Sequence, residues 1–296
     1  MKQPLTVLGF GAVAPYTLAD APGGSLGTSA TLPLRSGELP KLDLALLERT
    51  LRRGLSEVTR LFMHAAKLAL DDAGRAPEHM HVIFASAFGE IATAEALLAE
   101  AYEQDGSSPA RFRNSVHNTA AGLLSISTKN HLACTAVAAG WETVPMALIE
   151  AAAQLASQAE TVLLVFAEER VPNALSAEHR HGPLAAAFVL AREAAPGVRA
   201  RGSLINLRRL PRSALAASAL VGPHADEVRA STATQPSPEA LELHPIASVL
   251  SLVHALSHVR GDQPSGSARE IDQPTTIALS DGENPWCVDV HTRVES

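Results

Sequence analysis

Short apolar runs alternate with helix-like stretches over the first two-thirds of the chain. The runs predict five strands, whose sequences are LTVLGFGAV, MHVIFASAFGE, HLACTAVAAG, ETVLLVFAEE and GPLAAAFVLARE. Several of them are apolar at consecutive rather than alternate positions, which is typical of strands that are covered on both faces. Strands of this kind that alternate with helices indicate an α/β fold with helices on both sides of a sheet.

Four stretches between the strands have the hydrophobic repeat of a helix. The first covers residues 43–73 and ends at Gly74, a helix stop signal. The others are EIATAEALLAEAYEQ, RFRNSVHNTAAGLLSIST and ETVPMALIEAAAQLASQ. Small residues in the middle of the third stretch predict close packing against another backbone. A tight turn at Gly140 precedes the fourth.

The pattern is sparser beyond Pro196. It predicts one strand in RGSLINLRRLP, one amphipathic helix in ALELHPIASVLSLVHALSHV and a closing hairpin in TIALSDGENPWCVDVHTRV. The segments between them are polar and loop-like. We therefore expect an N-terminal half over residues 1–195 and a reduced C-terminal half over residues 196–296, packed on the same core as one structural unit.

Composition and charge exclude several classes of protein. The formal net charge is −7, which argues against nucleic acid as a partner. No apolar run approaches the roughly 18 residues of a membrane span, and the N-terminal run is too short for a signal peptide. The two cysteines are far apart and give neither a disulfide framework nor zinc spacing. We expect a cytoplasmic protein that binds no nucleic acid and no membrane.

Three motif-like patterns lack the context that their chemistry needs. GGSLG at residues 23–27 fits the G-x-S-x-G pattern, but no buried strand precedes it and no helix follows, so we interpret it as a loop. GFGAVA lacks the third glycine of a dinucleotide-binding turn and is interpreted as a strand-to-loop turn. His254 and His258 are spaced i, i+4 on a predicted helix, without a third ligand. We expect neither a metal nor a cofactor.

The remaining candidates for catalysis are two histidines and a thiol. His117 suits either a catalytic base or a hydrogen-bonded structural histidine, and the structural role is the commoner one. His244 stands at the start of a predicted helix, where its ring can reach a pocket. Cys134 lies in an apolar strand, where a thiol is usually an inert small hydrophobe. No nucleophile is paired with either histidine, so these residues give no catalytic set.

Four segments, in their order and spacing, resemble the ketosynthase branch of the thiolase-like family. They are VLGFGAVAP, LSEVTRLFMHAAKLALDDAG, SVHNTAAGLLSIS and ETVLLVFAEE. The resemblance is continuous over residues 1–195 and returns weakly in LHPIASVLSLVHAL and in the final hairpin. It implies a thiolase-like fold of five αβαβα layers with a shortened second half.

The segment SVHNTAAG and the short second half are similar to the short beta-ketoacyl synthase-like proteins called chain length factors, which belong to type II polyketide and aryl polyene systems. This resemblance implies a heterodimer with an active ketosynthase, which loads acyl chains from an acyl carrier protein. It also implies a non-catalytic subunit whose interface helix walls the acyl tunnel. The residues for this wall would be Phe112, Ser115, Val116, His117 and Thr119.

The family's spacing implies that the nucleophile position falls at Gly140 or Trp141 rather than at Cys134, with Trp141 in the space of an acyl thiolate. Of the two histidines that a ketosynthase needs, only His244 lies in a similar motif, so it is the residual catalytic candidate. Two other hypotheses stay open. One is an acyltransferase or condensing enzyme that uses Cys134 or His244 in an unusual geometry, and the other is a stand-alone acyl-binding scaffold.

Overall fold

The computed structural model describes residues 4–18, 34–36, 38–103, 108–157, 159–175, 181–192, 203–211, 213, 220–221, 244–260, 275–280 and 285–291. Its strands are β1 (Leu5–Val13), β2 (Tyr16–Leu18), β3 (Leu34–Ser36), β4 (His81–Ala85), β5 (Cys134–Val137), β6 (Thr161–Glu168), β7 (Leu184–Arg192), β8 (Ser203–Arg209), β9 (Leu220–Val221), β10 (Thr275–Ala278) and β11 (Trp286–His291). Its α-helices are α1 (Glu57–Ala73), α2 (Ile91–Glu103), α3 (Pro109–Phe112), α4 (Thr119–Thr128), α5 (Thr143–Ser157) and α6 (Ser248–Arg260). Short 3-10 helices span Arg49–Arg52, Pro77–His79 and Gly140–Glu142.

Nine strands form one hydrogen-bonded sheet in the order β5-β4-β6-β7-β1-β8-β11-β10-β9, and β2 pairs with β3 separately. β4 is parallel to both β5 and β6, whereas β7 is antiparallel to both β6 and β1. Residues of α1 and α4 share a core with one face of this sheet, and residues of α5 and α6 share a core with the other. The predicted α/β fold with helices on both sides of a sheet is therefore confirmed.

The two halves of the sheet meet at β1, where Leu5, Thr6 and Val7 pair with β8. One hydrophobic core contains Val7 from the N-terminal half together with Ile205 and Val288 from the C-terminal half. The strands of both halves therefore belong to one hydrogen-bonded sheet. The division at residue 195 stays a prediction.

The glycines of GFGAVA lie inside β1, so the interpretation of this segment as a strand-to-loop turn is wrong. The reason is a close approach between β1 and α1. A Cβ atom built on Gly9 would lie 2.4 Å from the backbone nitrogen of Ala73 and 2.5 Å from the carbonyl oxygen of Ala69. Gly11 is similarly crowded by Leu68. Helix α1 therefore crosses the strand at a separation that only glycine permits.

The helix predicted over residues 43–73 is wrong in its first part, because α1 begins only at Glu57. Ser56 caps the helix by accepting the N–H of Thr59. Gly54 has a φ of +69°, which interrupts any helix before that cap. Leu47 is nevertheless buried, since the segment before α1 packs onto the same core as the helix. Here the repeat of leucines indicates that the segment is buried, and it does not indicate a helix.

The single helix predicted in RFRNSVHNTAAGLLSIST is also wrong, because α3 ends at Phe112 and α4 begins at Thr119. Residues 113–118 form a turn between them. The hydroxyl of Ser115 donates to the carbonyl of Phe112, and that of Thr119 donates to the carbonyl of Val116. Such local side-chain bonds compete with helix formation. The residues expected on an interface helix thus lie mainly on a turn between two helices.

Candidate functional site

The carboxyl ends of the parallel strands β4, β5 and β6 meet at one edge of the sheet. Open α/β sheets bind ligands outside this end of their strands. β4 leads into the turn 86–90, β5 leads into the turn 138–142, and β6 ends at Glu168. These three segments, with the side chains that contact them, form the candidate site.

The turn 138–142 has a strand–turn–helix shape without a nucleophile. Gly140 has a φ of +53°, a left-handed conformation that glycine adopts without strain. The Thr143 hydroxyl donates to the carbonyl of Gly140 and accepts the N–H of Ala139, which fixes the turn. No cysteine or serine occurs within it. Trp141 is 50% exposed, so its indole does not fill an enclosed space in this chain. The assignment of the nucleophile position to Gly140 or Trp141 stays a prediction.

Cys134 lies on the edge strand β5 and is exposed, so the expectation of a buried thiol is wrong, whereas its inertness stays a prediction. The apolar sequence of β5 suggests a covered strand, but β5 pairs only with β4 among the described strands. Neighbouring atoms partly desolvate the thiol, which raises the pKa of Cys134. The other cysteine, Cys287, is buried in β11. Neither thiol lies in the turn 138–142.

Cys134 is expected to react with a maleimide in the folded chain, whereas Cys287 is expected to stay unmodified until the chain unfolds. The reason is that only Cys134 is exposed. Peptide mass spectrometry after a brief exposure at mildly alkaline pH measures both reactions. A Cys134→Ala variant is the control and should lose the fast modification. Fast modification of Cys287 would contradict the assigned burial.

His244 and His181 form a buried pair next to Phe88. The two imidazole centroids are 4.4 Å apart, and the ring of His181 stacks on that of Phe88. Nε2 of His244 lies 3.1 Å from the carbonyl oxygen of Gly182, and its Nδ1 accepts the N–H of Ile246. Burial lowers the pKa of His244 well below its ordinary value, and His181 lowers it further. His244 is thus neutral with both nitrogens engaged, and its catalytic role stays a prediction.

Three buried glutamates lie in or next to the turn 86–90, namely Glu90, Glu168 and Glu169. They were not predicted from the sequence. Glu168 receives hydrogen bonds from the Ser86 hydroxyl and from the N–H groups of Ala87 and Phe88. Burial raises the pKa of Glu168 to about 8 in spite of these donors. The one sequence signal was the pair of acids that ends the apolar run ETVLLVFAEE. A charged pair directly after a fully buried strand has to be accommodated inside the fold.

Glu169 bridges the N-termini of two helices. Its Oε2 accepts the N–H of Val58 in α1 at 3.1 Å, and its Oε1 accepts the N–H of Ala92 in α2 at 3.0 Å. Helix N-termini favour a carboxylate because their first N–H groups have no partner within the helix. Burial nevertheless raises the pKa of Glu169 to about 7, and the charge of Glu90 adds to this effect.

Glu90 and His117 complete the cluster. Glu90 accepts hydrogen bonds from the hydroxyls of Thr59 and Thr93, and burial raises the pKa of its carboxyl group. Nε2 of His117 lies 2.9 Å from the carbonyl oxygen of Ser86. His117 is therefore hydrogen bonded, as its structural interpretation requires. Its place in a tunnel wall stays a prediction.

The free energy of unfolding is expected to fall as the pH rises from 5 to 8.5, an interval of about three pH units. The folded chain keeps protons on Glu168 and Glu169 up to about pH 8 and 7, whereas the ordinary pKa of glutamate is 4.5. Between these values the folded state binds more protons, so a rise in pH favours unfolding. The loss should be about 7 kcal/mol, or roughly 11 °C in melting temperature. Thermal melts in a buffer series measure it.

Two variants separate this effect from general surface charge. Glu168→Gln keeps the shape of the side chain but removes its titration, and it should flatten the dependence of the melting temperature on pH. Glu78→Gln changes an exposed carboxylate and should keep the wild-type slope. An unchanged slope in Glu168→Gln would contradict the assignment.

Large apolar side chains are exposed on the residues that flank β5, on α4 and on the segment from the end of α3 to the turn before α4. Exposed apolar surface can mark an interaction site, and a strand edge that no described strand pairs is open to another strand. We call the outer edge of β5 together with these side chains the β5 face. Its side chains are Phe112, Val116, Ile126, Leu132 and Trp141.

Comparison with known proteins places the chain in a family. The profile described as "Beta-ketoacyl synthase, N-terminal domain" matches residues 29–251, which is more than half of the chain. The chain belongs to the beta-ketoacyl synthase family. No curated protein matches this beta-ketoacyl synthase homologue in sequence.

Solved structures with the same fold cover nearly the whole chain. A ketosynthase (ApeO) in complex with its chain length factor (ApeC) from Xenorhabdus doucetiae is 20% identical and has a TM-score of 0.62, over 97% of this chain and 100% of that one. The ishigamide ketosynthase/chain length factor is 17% identical with a TM-score of 0.61, over 98% and 100%. A beta-ketoacyl synthase from Burkholderia phymatum STM815 is 14% identical with a TM-score of 0.63, over 99% and 100%. These likenesses establish the thiolase-like ketosynthase fold.

Two absences concern only the part of the chain that the structure describes. Within it, no helix is long and apolar enough to cross a membrane. No group of three or more histidine, cysteine, aspartate or glutamate side chains is placed to hold a metal ion there. The GGSLG segment lies outside the described residues, and so does the side chain of His258.

Proposed function

We propose that this beta-ketoacyl synthase homologue is a non-catalytic chain length factor that forms a heterodimer with an active beta-ketoacyl-ACP synthase. The observation that carries the proposal is the thiol-free turn 138–142 before α5, in a chain that keeps the family's fold. Covalent catalysis of acyl transfer needs a nucleophile that can hold the acyl group. A subunit without one contributes shape to the complex instead of chemistry.

The β5 face supports a second subunit as its partner. An edge strand with free backbone groups can accept a strand from another chain, which extends the sheet across the interface. Two exposed aromatic side chains, Phe112 at the end of α3 and Trp141 after β5, are of the type enriched in the buried centres of interfaces. A partner of the same fold can present its own edge strand to β5.

The turn between α3 and α4 supports a role in the acyl tunnel of the partner. Phe112 at the end of α3 and Val116 on this turn are exposed, and both are bulky enough to limit the space in front of them. We propose that the wall consists of the five residues predicted from the sequence, and that an acyl carrier protein docks transiently to deliver the chain. The wall residues are Phe112, Ser115, Val116, His117 and Thr119.

Two structurally similar proteins are described as a ketosynthase together with a chain length factor. Their identity to this chain is low, so their assembly supports the proposal as an analogy of fold. We propose polyketide or aryl polyene biosynthesis in the cytoplasm as the setting. The enzymatic alternative is less well supported, because Cys134 lies on the edge strand and both nitrogens of His244 are engaged.

Co-expression with the ketosynthase encoded nearest to this chain tests the proposal. Size-exclusion chromatography with mass detection should give a stable complex of one copy of each chain. In that complex, modification of Cys134 by the maleimide should be strongly slowed relative to the free chain, because a partner covers β5. Failure to form a complex would favour a stand-alone acyl-binding scaffold, and a homodimer that transfers acyl groups would favour an enzyme.

A further inference from the structure

Three buried carboxyl groups lie beside the turn 86–90 and the first turns of α1 and α2. None of them is in an ion pair within the described residues. Glu90, Glu168 and Glu169 are 3%, 0% and 2% exposed. The ion pairs of the described residues join Lys67 to Asp71, Arg111 to Glu100 and Arg208 to Asp289. Buried carboxylates without a cation are costly unless they take up protons. The three carboxyl groups of this cluster therefore keep their protons to a higher pH than an exposed glutamate does.

The cluster holds backbone groups of three segments. Glu168 accepts the N–H groups of Ala87 and Phe88, which fixes the turn 86–90. Glu169 accepts one N–H from the first turn of α1 and one from the first turn of α2. Opening of the cluster would therefore release the turn and the beginnings of both helices together.

Ser86 connects the three carboxyl groups to the segment 112–119, which contains the residues proposed for the tunnel wall. Its hydroxyl donates to Glu168 and accepts the N–H of Gly89, and its carbonyl oxygen lies 2.9 Å from Nε2 of His117. Gly89 has a φ of +60°, and a Cβ atom built there would lie 2.6 Å from Cδ2 of His117. His117 thus rests directly on the turn. A rearrangement of the turn would therefore disturb the contacts of His117, through which it can reach the segment 112–119.

We propose that Glu90, Glu168 and Glu169 act as a proton-controlled clamp on the turn 86–90. With protons bound, the clamp is closed and holds the segment 112–119 in place. Loss of the protons at alkaline pH opens the clamp and loosens that segment. The clamp is a property of the chain alone, and only its consequence, weaker partner binding at alkaline pH, rests on the proposed function.

The charges and donors around the cluster set the direction of this effect. Burial raises the pKa of all three carboxyl groups, and the charges of Glu57 and Glu90 raise that of Glu169 further. Donor N–H groups and hydroxyls oppose this trend without reversing it, and for Glu90 the charge of His117 does so as well. Two further titratable or charged groups lie at the periphery: His181, which stacks on Phe88, and Arg170, which is exposed.

Hydroxyl groups contact two of the three carboxyl groups and can bond to either of their protonation states. These hydroxyl groups are those of Ser86, Thr59 and Thr93. A hydroxyl can rotate to accept a hydrogen bond from a carboxylic acid as readily as it donates one to a carboxylate. Glu168 and Glu90 can therefore take up a proton and keep a hydroxyl partner, whereas Glu169 contacts only backbone N–H groups among the described residues. Ionisation brings like charges together in a dry site.

Hydrogen exchange of the full chain, read by mass spectrometry at several pH values between 6 and 9, tests the clamp. After correction for intrinsic exchange rates, protection in peptides that cover residues 57–62, 86–94 and 112–119 should fall by roughly tenfold or more over this range. Peptides from α6 should change much less. Glu168→Gln or Glu169→Gln should reduce the fall, and Glu78→Gln should not. His117→Gln should keep it in residues 86–94, because the carboxyl groups are its source.

Three results would overturn the clamp. The first is protection in residues 86–94 that stays constant or rises with pH. The second is a fall in residues 86–94 without one in residues 112–119, which would break the connection through Ser86. The third is an unchanged fall in both glutamine variants. The experiment needs no partner, so its failure leaves the heterodimer proposal standing, and absence of a ketosynthase partner leaves the clamp standing.

Discussion

Val116→Asp is expected to weaken the complex with the ketosynthase by at least about 100-fold, equivalent to roughly 3 kcal/mol. Val116 is 45% exposed in the turn that precedes α4 and belongs to the β5 face. A carboxylate placed there stays hydrated in the free chain but would be desolvated without a partner charge in the complex. The free chain should therefore keep its melting temperature while assembly is lost. Titration of the purified partner by biolayer interferometry measures the affinity.

Leu175→Asp is the matched control for this substitution. Leu175 has nearly the same exposure, 44%, but follows β6 and is outside the β5 face. It should leave the affinity within about threefold of the wild type, since surface substitutions away from an interface usually cost less than 0.5 kcal/mol. Equal losses in the two variants would contradict the location of the interface.

A backbone variant tests the strand edge itself. Val82 and Ser86 donate their N–H groups to the carbonyls of Ala133 and Val137, so the backbone of the residues between, including Ala136, alternates toward the open edge. Ala136→Pro removes an outward N–H and is tolerated on an edge strand. We expect loss of the complex with a folded chain. Retention of full affinity would show that β5 does not pair with the partner.

Gly9→Ala is expected to lower the free energy of unfolding by about 3 kcal/mol, or roughly 6 °C or more in melting temperature. The added Cβ would lie 2.6 Å from the Cβ of Ala73, and even closer to the helix backbone. Backbone atoms of α1 and β1 have no side-chain freedom with which to relieve such contacts. The strand or the helix would therefore have to move. Chemical denaturation of the isolated chain measures the loss.

Gly122→Ala is the control for Gly9→Ala. Gly122 lies within α4, and a Cβ atom built there meets no atom within 4 Å. Alanine is the better helix former, so this variant should be neutral or more stable by up to about 1 kcal/mol. A loss at Gly122 as large as that at Gly9 would mean that the close approach of α1 to β1 is not the cause.

The strands of the sheet were predictable from the sequence because their burial is local in the chain. Residues of β6 and β7 are apolar at consecutive positions, and this pattern occurs only where helices cover both faces. The closing hairpin was predicted for a similar reason, and β10 indeed pairs antiparallel with β11. The burial of such strands can be predicted from their own residues alone.

The errors lie where burial or exposure depends on distant residues. Leu47 is buried under the core of α1 although its segment is not helical, so an apolar repeat was mistaken for a helix. β5 is partly exposed although its sequence is apolar, and that sequence does not distinguish a covered central strand from an edge strand. Gly9 was assigned to a turn because the helix that it contacts lies about sixty residues further along the chain, at Ala69 and Ala73.

For the candidate site, the sequence predicted only that the turn before α5 has no thiol. The absence of a thiol between residues 138 and 142 is visible in the sequence. The pairing of His244 with His181 and the cluster around Glu168 join residues from different strands and turns. These contacts are set by the topology of the sheet, which places the ends of β4 and β6 side by side. No short sequence pattern predicts these contacts.

The most direct test of the central claim is chain elongation by the reconstituted pair of this chain and its ketosynthase partner. If this chain is a non-catalytic chain length factor, Cys134→Ala should leave the elongation rate of the complex within about twofold of the wild type. Replacement of the partner's nucleophilic cysteine should abolish elongation, because covalent catalysis has no other thiol to use. The result that would contradict the claim is elongation that survives loss of the partner's cysteine and disappears with Cys134→Ala.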